Sequence, residues 1–400
     1  MTDAAQPARR RPLPLPSQWP VAIGALLTVS WGVGALAAYA WQFGVLFAIG
    51  GLLGASLYHA EFGFTAAYRN AMVRRDVAGV RAQVLMVALA VVIFAPTLAG
   101  GVSMTGIPAA GALAPAGLEV AVGSFVFGIG MQLASGCGSG TLFTVGGGST
   151  RMVVTLVFFC LGAFLATLAW DLPAWAWLRA DSRAVSLGAT YGWGVATVGQ
   201  LALLGSIWLA LGRWGRYREQ KPVWGGGLTW RRLLSGPWPL LLSAGLMALL
   251  NWLVLEVTGH AWSITWGFTL WAAEVAQWFG WDPQSSAFWT YPSQAKALAR
   301  GVMLDDTSIT NVGIILGALI AAGFAGRFAP TLKIPAKGLL AAVIGGLLLG
   351  IGARMAYGCN IGAFFSGVAS FSLHGWIWIL FALPGNWVGV QLRPWFGLEK

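Results

Sequence analysis

Residues 128–141 read Gly-Ile-Gly-Met-Gln-Leu-Ala-Ser-Gly-Cys-Gly-Ser-Gly-Thr, and residues 350–363 read Gly-Ile-Gly-Ala-Arg-Met-Ala-Tyr-Gly-Cys-Asn-Ile-Gly-Ala. The two stretches align at an offset of 222 residues, which pairs Cys137 with Cys359 and four glycines of one copy with four of the other, while Gly138 pairs with Asn360. Identical pairs include Gly128/Gly350, Gly130/Gly352, Gly136/Gly358 and Gly140/Gly362. Each copy follows one apolar run and precedes another. A duplicated thiol in a glycine-rich break of a hydrophobic pattern points to a binding site between two repeats of a transporter-like fold.

Composition agrees with a membrane setting. The 400-residue chain is 57% hydrophobic and 9% charged, with 23 Trp and 56 Gly. Soluble domains carry about 25% charged residues, so the spacing and composition predict an all-α, polytopic integral membrane protein. Apolar runs fall near 21–41, 44–58, 84–100, 118–134, 152–170, 190–212, 239–256, 263–279, 309–326, 338–356 and 374–391. Those near twenty residues are long enough to span the bilayer, while 44–58 and 263–279 are short. The expected layout is a cytoplasmic arm over 1–20, a first transmembrane repeat over 21–212, a basic cytoplasmic linker over 213–238 and a second repeat over 239–400. No cleaved leader is expected, because 21–41 is long enough to span and no small-residue cleavage site follows it.

The formal net charge is +11, yet the cations sit in short loops between apolar runs, which is the positive-inside pattern and not a nucleic-acid surface. Membrane lipid is the expected surrounding partner, and nucleic acid is not expected. The loop at 101–117 carries no charge, whereas its counterpart at 327–337 carries Arg327, Lys333 and Lys337. Equivalent loops on opposite sides imply an inverted pseudo-two-fold repeat, with 263–279 re-entrant or interfacial. The N-terminus is then cytoplasmic.

Backbone unwound at membrane depth must be satisfied by protein groups or line a watered cavity. Glycines there leave N–H groups open, and a helix that starts just after them turns its positive end toward the break. A thiol adds a weak S–H donor and a soft, polarisable atom. The path residues expected from the repeat are Cys137 and Cys359 with Gly136, Gly138, Gly140, Gly358, Asn360 and Gly362. Arg354, five residues before Cys359 where the first copy has Gln132, is either a charge partner for an anion or a snorkelling residue. Glu119, Glu256 and Glu274 are weaker candidates for a proton path. Cys160 pairs at the same offset with Ala382 and reads as packing. Three cysteines and three scattered histidines form no metal-binding pattern, and no cofactor or catalytic residue is expected.

The Gly-Cys-Gly-Ser-Gly and Gly-Cys-Asn-Ile-Gly segments, with Gly-Ala-Arg-Met-Ala before the latter, resemble the YeeE/YedE family of bacterial inner-membrane sulfur-compound transporters. The stretch from Glu61 through Gly63 to Arg69 resembles that family's first signature. The resemblance implies an hourglass-shaped all-helical transporter with short re-entrant helices in the bacterial inner (plasma) membrane. It further implies thiosulfate uptake, with the anion passed between thiols by S–H···S hydrogen bonds. The relay cysteines of the family fall on Cys137 and Cys359. A third, usually placed between the aromatics of the first signature, falls on Gly63. That departure leaves other sulfur or selenium species open as substrates. A cytoplasmic sulfurtransferase is an expected partner that pulls the product. The competing reading is a membrane-embedded thiol or persulfide relay, which needs a cation or base beside a thiol. No histidine stands close in sequence to either cysteine, and no soluble catalytic segment exists.

Overall fold

The computed structural model describes residues 18–215, 229–331 and 333–400. The expected arm over 1–20 and linker over 213–238 therefore fall largely outside the described residues. Among these, nine helical stretches are long and apolar enough to cross a membrane.

In the first half, α1 (Trp19–Tyr39), α2 (Trp41–Ala60), the short α3 (Phe64–Arg74), α4 (Ala78–Gly100), α5 (Leu118–Ala134), the short α6 (Gly138–Gly146) and α7 (Thr150–Leu168) follow one another. Then comes α8 (Trp193–Trp214). The second half has α9 (Leu240–Thr258), α10 (Thr265–Trp278), α11 (Asp306–Phe324) and α12 (Ala336–Met355). It closes with α13, a π-helical turn Asn360–Phe365 continued by Ser366–Ala369, and α14 (Leu373–Leu392). One two-residue antiparallel strand pair, Pro115–Ala116 with Arg183–Ala184, ties two loops together.

Contacts exchange between the halves. Helix α2 packs on α11 as α9 packs on α4; α7 packs on α12 as α14 packs on α5; and α10 meets α7 as α3 meets α14. Close approaches obey the same exchange. A Cβ on Gly128 would lie 2.4 Å from Ala382 O, and one on Gly350 would lie 2.4 Å from Phe159 O. Likewise Gly162 abuts Leu347 O and Gly385 abuts Phe125 O. Small residues let helix backbones touch, which is how helices associate where lipid removes the hydrophobic drive between them. The duplicated glycines of 128–130 and 350–352 are therefore packing residues.

Equivalent helices α5 and α12 touch directly and run antiparallel, since Gly123 lies against Gly352 and Ala356 while Gly130 lies against Gly345 and Leu349. An antiparallel pair of equivalents is what an inverted repeat requires. The short α10 has a buried start and an exposed end, with Trp278 at 80% exposure; its length is that of a half-crossing. Its counterpart α3 lies between the apolar runs at 44–58 and 84–100, where the sequence pattern shows only a loop.

One register changes. The offset of 222 holds through Thr141/Ala363, but the caps that start the next helices are Ser149 and Ser372, and the left-handed residues before them are Gly148 and Phe371. Both pairs are 223 apart. The π-helical turn supplies the extra residue. Cys160 therefore corresponds to Leu383 and not to Ala382.

Candidate functional site

Helices α5 and α12 end alike. Ser135 and Tyr357 both adopt the left-handed conformation, at φ 64° and 57°. Gly136 N donates to Met131 O (3.1 Å) and Gly358 N to Ala353 O (2.8 Å), so both ends carry the same terminating hydrogen bond. Gly358 has φ +153°, and a Cβ there would stand 2.7 Å from Ala363 N, so this step needs glycine. The chain then extends through each cysteine, at φ −110°, ψ −165° for Cys137 and φ −100°, ψ −167° for Cys359. Each cysteine caps the short helix that follows. Cys137 Sγ accepts from Gly140 N at 3.4 Å and lies 3.5 Å from Ser139 Oγ.

Cys359 packs against the turn that carries Cys137. A Cβ on Gly138 would lie 2.8 Å from Cys359 Sγ, so the space a larger residue would take next to Cys137 is filled by the other cysteine's sulfur. Exposure is 1% for Cys137 and 0% for Cys359. The same Gly138 position faces Ile264, the residue before α10. Asn360 Nδ2 reaches Tyr68 Oη of α3 at 3.5 Å. Gly362 has Ser263 Oγ as its nearest neighbour. The starts of α6, α10 and α13 are thus gathered around the sulfurs, with Tyr68 of α3 beside them. Half-helix N-termini converging at one point present unpaired N–H groups and positive dipole ends to an anion.

Side chains from the long helices hold these short ones. Asn251 Oδ1 of α9 accepts from Trp262 N (2.8 Å), and Ser366 Oγ donates to Trp262 O (2.7 Å). Asn311 Nδ2 of α11 donates to Ile264 O at 2.9 Å. Gln132 Nε2 of α5 donates to Thr65 O (3.2 Å) and to Asn386 Oδ1 (2.7 Å). Trp378 Nε1 donates to Gly358 O at 3.2 Å. Several buried polar atoms in this region lack a protein partner, namely Thr65 Oγ1, Gln132 Oε1, Asn311 Oδ1 and Asn360 Oδ1. Buried polar groups are nearly always paired, so these orphans suit a region through which a polar solute passes. A lone Asn in an apolar helix is the sequence signal for Asn251 and Asn311; Ser139 and Tyr68 lie inside the two motifs of the sequence, but neither is singled out there.

Of the expected path residues, Cys137, Gly138, Cys359, Asn360 and Gly362 come together. Gly136 and Gly358 shape the turns that precede the thiols. Gly140 supplies the N–H that reaches Cys137 Sγ. Gly63 starts α3, and a Cβ there would find only Ala66 Cβ at 4.0 Å, so a larger residue fits. Arg354 does not touch the thiols. It lies over the Phe288 ring, 5.4 Å from its centroid. Nearby, Tyr357 Oη donates to Glu119 Oε1. Cys160 is a partly buried packing residue of α7. Glu256 accepts from Thr97 Oγ1 and Met104 N, and Glu274 from Val302 N, so both carboxylates pin loops.

Comparison with known proteins fits this geometry. The sequence matches the sulphur transport family over residues 59–388. The chain belongs to that family. It is 30% identical to a thiosulfate transporter, TsuA, of Spirochaeta thermophila over 355 residues, covering 85% of this chain and 95% of the relative. It is 25% identical over 290 residues to TsuA of Escherichia coli, covering 69% of this chain and 76% of that one. It is 32% identical over 172 residues to a probable transporter, YedE, of Salmonella typhimurium. The match to YedE spans 41% of this chain and 39% of YedE's own length. Family members of this kind are membrane transporters and not enzymes, and the fold is that of a multi-pass helical membrane protein.

Proposed function

We propose that this protein carries a small sulfur-containing anion, thiosulfate first, into the cell across the bacterial plasma membrane, with Cys137 and Cys359 as successive stations. The observation that carries this reading is the seating of Cys359 Sγ against Gly138, beside Cys137, at the starts of two matched half-helices. A dehydrated anion needs hydrogen-bond donors at every point of a narrow path, and two neighbouring S–H groups plus open backbone N–H groups supply them. The soft terminal sulfur of thiosulfate matches a soft thiol better than a hard oxyanion does.

Among the described residues no Lys, Arg or His is a hydrogen-bond partner of Cys137, whose hydrogen-bonding neighbours are Ser139 Oγ and Gly140 N. That environment favours hydrogen-bond transfer over covalent persulfide chemistry, which needs an activated thiolate. Arg74, Arg75, Arg327, Lys333 and Lys337 mark the cytoplasmic side under the positive-inside rule, with the N-terminus on that side too. A cytoplasmic sulfurtransferase consuming the product supplies a pull.

Labelled uptake in cells stripped of their own sulfur transporters tests the reading, across thiosulfate, sulfite, sulfate, sulfide and selenite. Thiosulfate is expected to be the best substrate. Cys137→Ala and Cys359→Ala are each expected to lose uptake, by about a hundredfold or more if an unpaired donor site is left at the narrowest point. Wild-type rates in both variants at equal membrane levels would exclude the thiols as stations.

A further inference from the structure

Two arginines hold the end of α5 beneath the Cys137 turn, and Arg69 of α3 follows one turn after Thr65, whose carbonyl accepts from Gln132 of that same helix end. Arg393, just past α14, is 6% exposed and donates from Nη1 to Gln132 O (2.5 Å) and Ser135 Oγ (3.0 Å). Arg151, near the start of α7, donates from Nη2 to Leu133 O (2.8 Å) and from Nε to Gly338 O (3.0 Å). Arg69, in the middle of α3, is half-buried, and among the described residues it has no hydrogen-bond or ion-pair partner. Burial pushes Arg393 down to about 10, and the positive charges of Arg69 and Arg151 push the same way. The exposed carboxylate of Glu399 offsets little of this, and none of the three forms an ion pair among the described residues.

Arg151 and Arg393 finish the last carbonyls of α5, a structural task cations often perform. The other repeat performs the same task without them. At the offset of 223, Arg151 corresponds to His374 and Arg393 to Trp170. Trp170 packs beside the end of α12, with Ile351 and Met355. Helix termination therefore does not require a cation cluster, and Arg69 serves no termination at all.

We propose that Arg69, Arg151 and Arg393, with Ser135, form an oxyanion site on the inner side that receives the sulfonate end of the anion leaving Cys137. This rests on the transport reading above. Three guanidinium groups match the three terminal oxygens of the sulfonate end, and planar forked donors suit tetrahedral oxyanions. The soft end stays toward the thiols while the hard end is taken by the arginines. Ser135, two residues before Cys137, links the two environments.

Arg69→Gln is the decisive variant, because Arg69 holds nothing else in place. In proteoliposomes of defined orientation, its KM for thiosulfate offered from the inner side should rise about tenfold, the loss of one charge-assisted hydrogen bond. From the outer side KM should stay within about twofold, and Arg69→Lys should recover part of the inner affinity. Equal shifts from both sides, or none, overturn the site. Calorimetric binding of sulfate to the purified protein reads the site without transport. Wild type should bind, and Arg69→Gln about tenfold more weakly; equal binding overturns the proposal even if thiosulfate is carried. Wild-type sulfate binding that Arg69→Gln weakens, together with no thiosulfate flux, would keep the oxyanion site and sink the substrate assignment instead.

Discussion

Cys137 and Cys359 leave the same kind of helix end, take the same extended backbone and cap a short helix, yet the short helices differ. Cys137 O accepts Thr141 N and Thr141 Oγ1, both at 2.8 Å. Cys359 O accepts Ala363 N at 2.9 Å and Phe364 N at 3.4 Å. The equivalent of Thr141 is Ala363, which has no hydroxyl, and a wider π-helical turn brings a second backbone N–H to the same oxygen. The two copies thus satisfy one buried carbonyl by different means. The one-residue insertion that makes the second solution possible shifts everything after it by one position. Such single-turn π segments gather at functional sites.

The two mouths differ more. Around the end of α5 stand Arg151 and Arg393; around the end of α12 stand Trp170, Arg354 and the Tyr357–Glu119 pair. A symmetric scaffold thus carries different charges at its two matched helix ends.

Six substitutions test how deep the symmetry runs. Gly128→Leu and Gly350→Leu should be the most damaging and equally so, because each drives a side chain into a backbone carbonyl of the facing helix. A loss of about 3 kcal/mol or more is expected, read as loss of monodisperse protein or of unfolding midpoint in detergent. Unequal outcomes would break the equivalence of the repeats. Gly138→Ala should leave a folded protein but push Cys359 Sγ aside, cutting uptake about tenfold, an effect of about 1.4 kcal/mol; unchanged uptake would mean that the seating of Cys359 Sγ against Gly138 does not matter for transport. Arg354→Gln, which copies Gln132 of the first repeat, should raise the KM for uptake several-fold with little change in maximal rate, since Arg354 lies off the thiols. A collapse of the maximal rate instead would place it on the path. The smallest effects belong to Gly63→Cys and Cys160→Ala. The first has room for its side chain and should leave thiosulfate uptake equal or higher; the second should be silent. A clear loss in either would redraw the route.

Much of the site was legible because the repeat is written in residues with few packing alternatives. Glycines that touch a facing backbone and a thiol between them can be matched by eye across the copies. The helix at Phe64–Arg74 was not legible, since its Arg69, Asn70 and Arg74 read as a loop and its 11 residues make only about half a crossing. The true partner of Cys160 was hidden by a single inserted residue that composition does not mark. Arg69 stood in a quoted signature, but its company with Arg151 and Arg393 joins three distant segments.

The sequence by itself determined a helical membrane protein with inverted halves and a paired Gly-Cys break, because hydropathy, loop charge and duplication are local and periodic. Only the tertiary structure decided that Cys359 Sγ seats against Gly138, which short helices start beside it, and which side carries the arginines. Those facts depend on antiparallel packing of α5 on α12, a contact between residues more than two hundred positions apart. No local pattern records such a contact, since backbone approach is set by the shapes of both partners at once.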